Sequence, residues 1–257
     1  MNREGAEVKD YIWNHRYKSL NVSAKGKKGG LLSSIILSVT IFILKALLYF
    51  HGAFFFIVLL FSILYSFVNP PVTSLMLYRK LFFNHNIRPV EYLPLKKIPA
   101  KARRMAVRIE DYKFYNHHGI DLEAIVHAYR LNKRIGYTRY GGSTITMQLA
   151  RTLFLIPNKS YLRKYLESLM AIEMDLIMKK DRILELYLNY VEWGEGIFGI
   201  SAASSFYYKK KPYELSTDEL RKLFTILPNP LKYNVENFWK SRIMYKRYTF
   251  LFSRFPD

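Results

Sequence analysis

The sequence predicts a mostly α-helical domain preceded by an N-terminal transmembrane helix. Three observations predict it. The run Ala46–Val68 carries no charge and exceeds the ~20 apolar residues that a bilayer crossing needs. From about Lys101 onward, apolar residues recur at spacings of three and four, the helical period. Strand-like alternation is weak throughout, so sheets are not expected to build the core.

The elements follow in order. Residues 1–30 are polar and basic, with Arg3, Lys9, Arg16, Lys18, Lys25, Lys27 and Lys28 against Glu4, Glu7 and Asp10. Gly26, Gly29 and Gly30 make a poor helix, and the expectation is a disordered cytoplasmic tail. In the anchor region, 31–68, the only charged side chain is Lys45. A cleavable signal has a shorter apolar core, so a retained span over 46–68 is expected. The earlier run, Leu31–Leu44, fits an interfacial helix, an extension of the span or half of a hairpin. One span is preferred, because Lys45 interrupts the first run and charge at the bilayer centre is costly. The basic tract then stays inside by the positive-inside rule, and the remainder faces the extracytoplasmic side.

Asn69-Pro70-Pro71 ends the span. The connector, 69–100, mixes Leu75, Met76, Leu77, Tyr78, Leu81, Phe82 and Phe83 with Arg79 and Lys80. It reads equally as an amphipathic connector or as a surface resting in lipid headgroups. Pro89, Pro94 and Pro99 mark a loop into the globular part, 101–257. There Asp121 suits the N-cap of a helix running through Glu123 to Leu131. Leu162, Leu166, Leu169, Ile172 and Leu176 form an apolar stripe. Asp181 is placed to cap a helix carrying Ile183, Leu184, Tyr187 and Leu188. Ser216-Thr-Asp-Glu219 is a capping box.

Composition narrows the function. With 257 residues, half of them apolar, the chain holds one medium domain and an appendage. Lys and Arg total 40 against 20 Asp and Glu, a net charge of +20. That excess points to an anionic partner: nucleic acid, anionic lipid or a phosphorylated substrate. The absence of cysteine excludes disulfides and thiolate metal sites.

Three stretches carry chemistry. Glu110–Asp121 clusters three carboxylates and two histidines in a chain poor in acids, and such clusters arrange proton transfer more often than they decorate a surface. Glu110 follows an apolar and basic segment, and apolar walls raise a carboxylate's proton affinity towards general-base use. Taken alone, an ion-paired surface glutamate explains it better. Second, Tyr140-Gly-Gly-Ser-Thr-Ile-Thr-Met-Gln-Leu-Ala-Arg151 offers backbone N–H groups, hydroxyls and an amide at a helix entry, suited to an anion such as a diphosphate. Without Gly-Lys-Ser/Thr it is no nucleotide phosphate loop, and a plain N-cap accounts for its composition better. Third, Arg163 and Glu167 share a helix face, with Glu167 beside the apolar stripe. They read as part of a cation-lined cleft or as a solvated salt bridge. Together these suggest glycosyl chemistry on a phosphorylated donor.

Glu-Asp-x-x-Phe-x-x-His-x-Gly-x-Asp (110–121), Gly-Gly-Ser-Thr-Ile-Thr-x-Gln-Leu (141–149), Arg-Lys-x-x-Glu (163–167) and Ile-Leu-Glu-x-Tyr-Leu-Asn (183–189) occur in this order. The set resembles the successive motifs of the peptidoglycan glycosyltransferase family, the lysozyme-like transglycosylase module of class A penicillin-binding proteins. Trp193–Gly199, Ala202-Ala203 and Leu227–Asn234 continue the likeness, which covers roughly residues 90–240. The chain ends at Asp257, without room for a transpeptidase domain, so the expected type is monofunctional and membrane-anchored.

The resemblance implies a lysozyme-like domain that polymerises lipid II on the periplasmic face of the bacterial inner membrane, with inversion and release of undecaprenyl diphosphate. Glu110 matches the general base, and Glu167 the second glutamate near the donor diphosphate. Ser143, Thr144, Gln148, Arg151, Arg163 and Lys164 match substrate-binding positions. Asp111 and His118 match the residues that shape the first motif. Met147, Arg151, Thr152 and Asp175 depart from the commoner Gln, Lys, Asn and Glu. No cofactor is required, and a divalent cation (Mg or Mn) at the diphosphate stays open because no His/Asp cluster makes a dedicated site. Expected partners are lipid II, the growing glycan chain and the membrane, with other cell-wall synthesis proteins open. Nucleic acid is excluded by the outward orientation. A lysozyme-like hydrolase and a non-catalytic scaffold are the alternatives.

Overall fold

The computed structural model describes residues 4–137, 141–158 and 160–257, with side chains from Ser33 onward. Tyr140 and the side chains of the basic tract Arg3–Lys28 lie outside the described residues. The chain forms two compact units, the first ending at Phe54 and the second spanning Phe55–Asp257.

The first unit is helical from Glu4, as the N-terminal part of α1 (Glu4–Phe67). A disordered tail was expected there. Each glycine costs about 1 kcal/mol relative to alanine within a helix, which weakens a helix without forbidding it, and growth from an existing helix adds a hydrogen bond per residue fixed. No turn breaks α1 at Leu31–Leu44, so that run extends the apolar helix and is not half of a hairpin. Ser33–Phe67 is long and apolar enough to cross a membrane.

In the second unit, α1 stops at Phe67, ahead of the Pro70-Pro71 pair. Arg182 collects its end: Nε donates to the Tyr65 carbonyl at 2.8 Å, and Nη2 to the Val68 carbonyl and Asn69 Oδ1 at 2.9 Å each. A cation at the carbonyl end of a helix is favourably placed against its dipole. Phe61 and Tyr65 lie 6.0 and 6.2 Å, centroid to centroid, from Phe154 at the end of α5 (Ile145–Phe154).

The connector contains α2 (Ser74–Phe83), capped by Thr73. It buries Leu75 and Met76 and leaves Leu77, Leu81, Phe82 and Phe83 exposed. Arg79 ties it to Glu192 through two parallel 2.8 Å bonds. Beyond it, α7 (Lys180–Tyr190) clamps the loop into the globular part. Asn189 exchanges hydrogen bonds with both backbone groups of Leu93, at 2.8 and 2.9 Å, and Glu185 accepts from the Leu95 N–H at 2.5 Å. The fourth motif thus holds the entry to α3 (Ala100–Glu110).

The remaining elements are α4 (Leu122–Ile135), α6 (Tyr161–Ile177), a two-stranded antiparallel hairpin of β1 (Glu192–Gly194) and β2 (Ile197–Phe198), α8 (Ile200–Tyr208), α9 (Thr217–Ile226) and α10 (Arg242–Arg254). The fold is mostly helical, as expected. α5 lies at the centre, packed on α6 and α7, and buries nearly all of its surface. Gln148 and Arg151, both half-buried, give it one polar side. Asp121 caps α4 by accepting from the Ala124 N–H at 2.9 Å, and Ser216 with Glu219 forms the expected capping box.

Two expectations need correction. α7 begins after Lys179, and Asp181 sits in its first turn without capping it; its Oδ1 accepts instead from the Tyr115 hydroxyl at 3.0 Å. The leucine stripe of α6 is not its core face. Leu162 and Leu176 are exposed and the residues between are half-buried, while Glu167, Met170, Ala171 and Met174 are buried. Both sets have helical spacing, and period alone does not say which one faces the core.

Candidate active site

Glu110 is the last residue of α3, and its carboxylate is held from two sides. Gln148 Nε2 of α5 donates to Oε2 at 3.0 Å, and the Arg247 guanidinium of α10 pairs with Oε1. The neighbours are therefore an amide and a cation, where the sequence suggested apolar walls. Gln148 is itself oriented: its Oε1 accepts from the Tyr187 hydroxyl at 3.1 Å. Burial, and then the charge of Glu110, push the Tyr187 hydroxyl well above the ordinary tyrosine range, so it remains a donor. A carboxylate has about four acceptor positions, and two bonds leave room for a substrate hydroxyl.

One turn along α5, Arg151 approaches the second glutamate, 3.6 Å from Glu167 Oε1. Glu167 is fully buried. It also pairs with Arg163, and its Oε2 accepts from Lys164 Nζ at 3.1 Å. Lys164 donates at 2.6 Å to Ser143 Oγ, tying in the hydroxyl-rich turn. Burial lowers the Lys164 pKa, against the pull of Glu167. Residues three apart share a helix face, so Gln148 and Arg151 connect the two glutamates through one side of α5. Gln148, Arg151 and Arg163 line one cavity of about 400 Å³, closed by Arg79 of α2 and the Leu227–Leu231 loop.

The structure therefore gathers Glu110, Ser143, Gln148, Arg151, Arg163, Lys164 and Glu167. Asp111 and Thr144 stand behind them as supports. Asp111 Oδ2 accepts from the Ile145 N–H at 3.0 Å, and Thr144 Oγ1 accepts from the Met147 N–H at 3.1 Å while donating to the Gly119 carbonyl at 2.6 Å. The Ile145 and Met147 N–H groups are thus taken up internally, which supports the N-cap account of this turn. Gly142 is small because α4 passes close by: a Cβ there would lie 2.7 Å from the Ile125 Cα.

His118 stands apart from this cluster. Its side chain is 86% exposed and lies 3.7 Å from Asp175. The histidine that meets Asp111 is His117, whose Nε2 lies 2.9 and 3.0 Å from the two carboxylate oxygens. Phe114 and His117 pack edge to face inside the loop, which leaves the next residue outside. Burial raises the Asp111 pKa, and His117 opposes that rise.

Arg247 was not predicted. It belongs to no motif, and its one signal is spacing. Met244 and Leu251 are the buried residues of α10, and a cation at 247 interrupts that apolar stripe. Its helix is anchored by Arg221 of α9, which donates to the Phe255 carbonyl at 2.7 Å and to Asp257 at 2.8 Å. The departures have places too. Met147 is fully buried in the core, Thr152 donates to the Gln148 carbonyl at 3.0 Å, and Asp175 pairs with Lys180 at 2.6 Å. Among the described residues, no group of three or more His, Asp or Glu is placed to hold a metal ion.

Comparison with known proteins agrees with this arrangement. The sequence profile of the transglycosylase family matches residues 80–252. A biosynthetic peptidoglycan transglycosylase of Burkholderia vietnamiensis is 37% identical over 171 residues, covering 65% of this chain and 70% of that protein. Its namesake in Dechloromonas aromatica is 36% identical over 176 residues, 67% of this chain and 76% of the relative. The Neisseria gonorrhoeae protein of the same name is 38% identical over 175 residues, 66% and 75% of the two chains. With two thirds of its length matched and its two glutamates joined through one helix face, this chain belongs to the transglycosylase family.

Proposed function

We propose that the protein polymerises lipid II into peptidoglycan strands, with Glu110 as general base. The observation that carries this reading is the link between the two glutamates through Gln148 and Arg151, which themselves line a cation-rich cavity. Glu110 takes the proton of the acceptor's 4-hydroxyl. That oxygen bonds to the anomeric carbon of the growing chain from the face opposite the leaving group, so the configuration inverts. The bond from that carbon to the diphosphate oxygen breaks, and the departing electron pair is met by Arg151, Arg163 and Lys164. Preorganised cations at a developing charge are among the largest contributions an enzyme makes.

Glu167 is the buried counter-charge that holds these cations together. Three cations already engage it, so it offers no free carboxylate for Mg or Mn. A divalent cation would be carried by diphosphate oxygens and water, and no step here runs through one.

The substrate's lipid tail accounts for the apolar helix and for the exposed Leu81 and Phe82 of α2. We place the protein in the bacterial inner membrane as a single-pass protein with its domain outside, consistent with the basic tract before the span. The growing glycan is the second substrate, and other cell-wall synthesis proteins are candidate partners. Purified protein incubated with labelled lipid II, with and without chelator, is expected to yield polymer in both arms. Shortening of finished strands without polymer would make it a hydrolase, and binding without turnover a scaffold. Polymer lost only under chelator would require a metal.

A further inference from the structure

A second cavity, of about 410 Å³, lies along α3, the helix that ends in Glu110, and shares no lining residue with the groove just described. Arg103, Arg104 and Arg108 reach it from α3, Tyr112 and Tyr115 from the following loop, and Phe255 from the chain beyond α10. Its size is within the roughly 300–1,000 Å³ range of small-molecule sites. The arginine ion pairs among the described residues engage Arg79, Arg151, Arg163, Arg182, Arg221 and Arg247, and none of these three. Arg103 Nε is buried without an acceptor. Arg108 rests over the Phe250 ring, 5.9 Å from its centroid.

Without a ligand, this arrangement is unfavourable. Arg104 and Arg108, exposed and four apart on the helix, carry like charges that repel. A buried donor left unsatisfied, like Arg103 Nε, is destabilising. An anion in the cavity would relieve both. Guanidinium forks match carboxylates in bidentate geometry, while the aromatic and aliphatic walls suit the hydrocarbon of a peptide. The cavity is also close to the reacting hydroxyl. At 1.5 Å per residue, Arg103 is only ~10 Å from Glu110 along the helix axis, and Tyr112 follows Glu110 by two residues. The donor diphosphate has its own cations in the other cavity.

We propose that this cavity receives a carboxylate of the peptide borne by the acceptor, making Arg103, Arg104 and Arg108 specificity residues for the substrate that Glu110 deprotonates. The inference rests on the reading of Glu110 as base. The test compares full-length wild-type protein with the Arg104→Gln/Arg108→Gln variant on two lipid II preparations, one with free peptide carboxylates and one with them amidated. On free-carboxylate substrate the variant's KM is expected to rise about tenfold, equivalent to about 1.4 kcal/mol, with kcat within twofold and the thermal midpoint retained. On amidated substrate the two proteins should match, and wild type should itself show the raised KM. The Arg104→Lys/Arg108→Lys variant should recover part of the loss. Equal losses on both substrates would assign the cavity to a phosphate or to the membrane surface and overturn the proposal, as would no loss on either. Polymer from wild type in those cases leaves the reading of Glu110 standing. No polymer from wild type overturns both.

Discussion

His117 and His118 are neighbours in sequence with opposite surroundings. His117 Nε2 bonds the buried Asp111 carboxylate, which in turn holds the first N–H of α5. A hydrogen bond to a charged group is worth about 1.5–3 kcal/mol, so His117→Ala should lower stability by about that much. His118→Ala should stay within about 0.5 kcal/mol, as surface changes usually do. Thermal unfolding in detergent distinguishes them. At Glu110, the Arg247 guanidinium and the Gln148 amide fix the carboxylate from two sides. Misplacing a reacting group by about 1 Å can cost ~10²-fold, so Arg247→Ala should reduce kcat by about that factor with KM little changed. Arg247→Lys should restore part of it. Steady-state polymerisation rates check both. Glu110, Glu167, Arg163 and Lys164 were legible because they lie in short motifs. Arg247 was not, because its partner is 137 residues away in sequence, and nothing near it in the chain announces that contact.

At the scale of elements, two local caps were legible, Asp121 and Ser216, whereas Asp181 does not cap α7. Asp121 and Ser216 use side chains on N–H groups three residues on. The apolar stripe of α6 did not show which side faces the core, because two faces share the helical period. The face chosen in the fold carries Ala171 and Met174 against the core, together with Glu167 and its cations. The leucine face is left half-buried or exposed. Two substitutions on this helix make the difference measurable. Met174→Ala should cost about 2–5 kcal/mol, whereas Leu176→Ala, at 72% exposed, should cost less than about 0.5 kcal/mol. Gly119 shows a backbone requirement that sequence alone leaves hidden. Its φ is +78°, and a Cβ there would lie 2.2 Å from the Ala171 carbonyl oxygen. The first motif thereby packs directly on α6, the helix carrying Glu167.

For the molecule as a whole, net charge pointed to an anionic partner and the apolar run to a membrane span before any motif was considered. The length of the N-terminal helix was not legible, since the glycines near residue 30 signal a break that α1 does not take. Whole-protein stability should carry a pH signature from Glu173. Burial pushes this carboxyl up to about 7 from 4.5. The folded chain then holds the proton more tightly than the unfolded one, so stability falls as pH rises from about 4.5 to about 7 and stays lower above that. Glu173→Gln removes the titration. It should raise the thermal midpoint by a few degrees at pH 8, with the gain shrinking towards pH 4; a gain independent of pH would assign the effect to packing.

The most direct test of the central claim is the polymerisation rate of Glu110→Gln on lipid II, measured with its thermal midpoint. Loss of a positioned general base costs typically 10²–10⁴-fold, and Gln keeps nearly the same shape beside Arg247 and Gln148. The account predicts a rate down by at least about a hundredfold in a protein that unfolds within a few degrees of wild type. A folded variant that polymerises at the wild-type rate would contradict it.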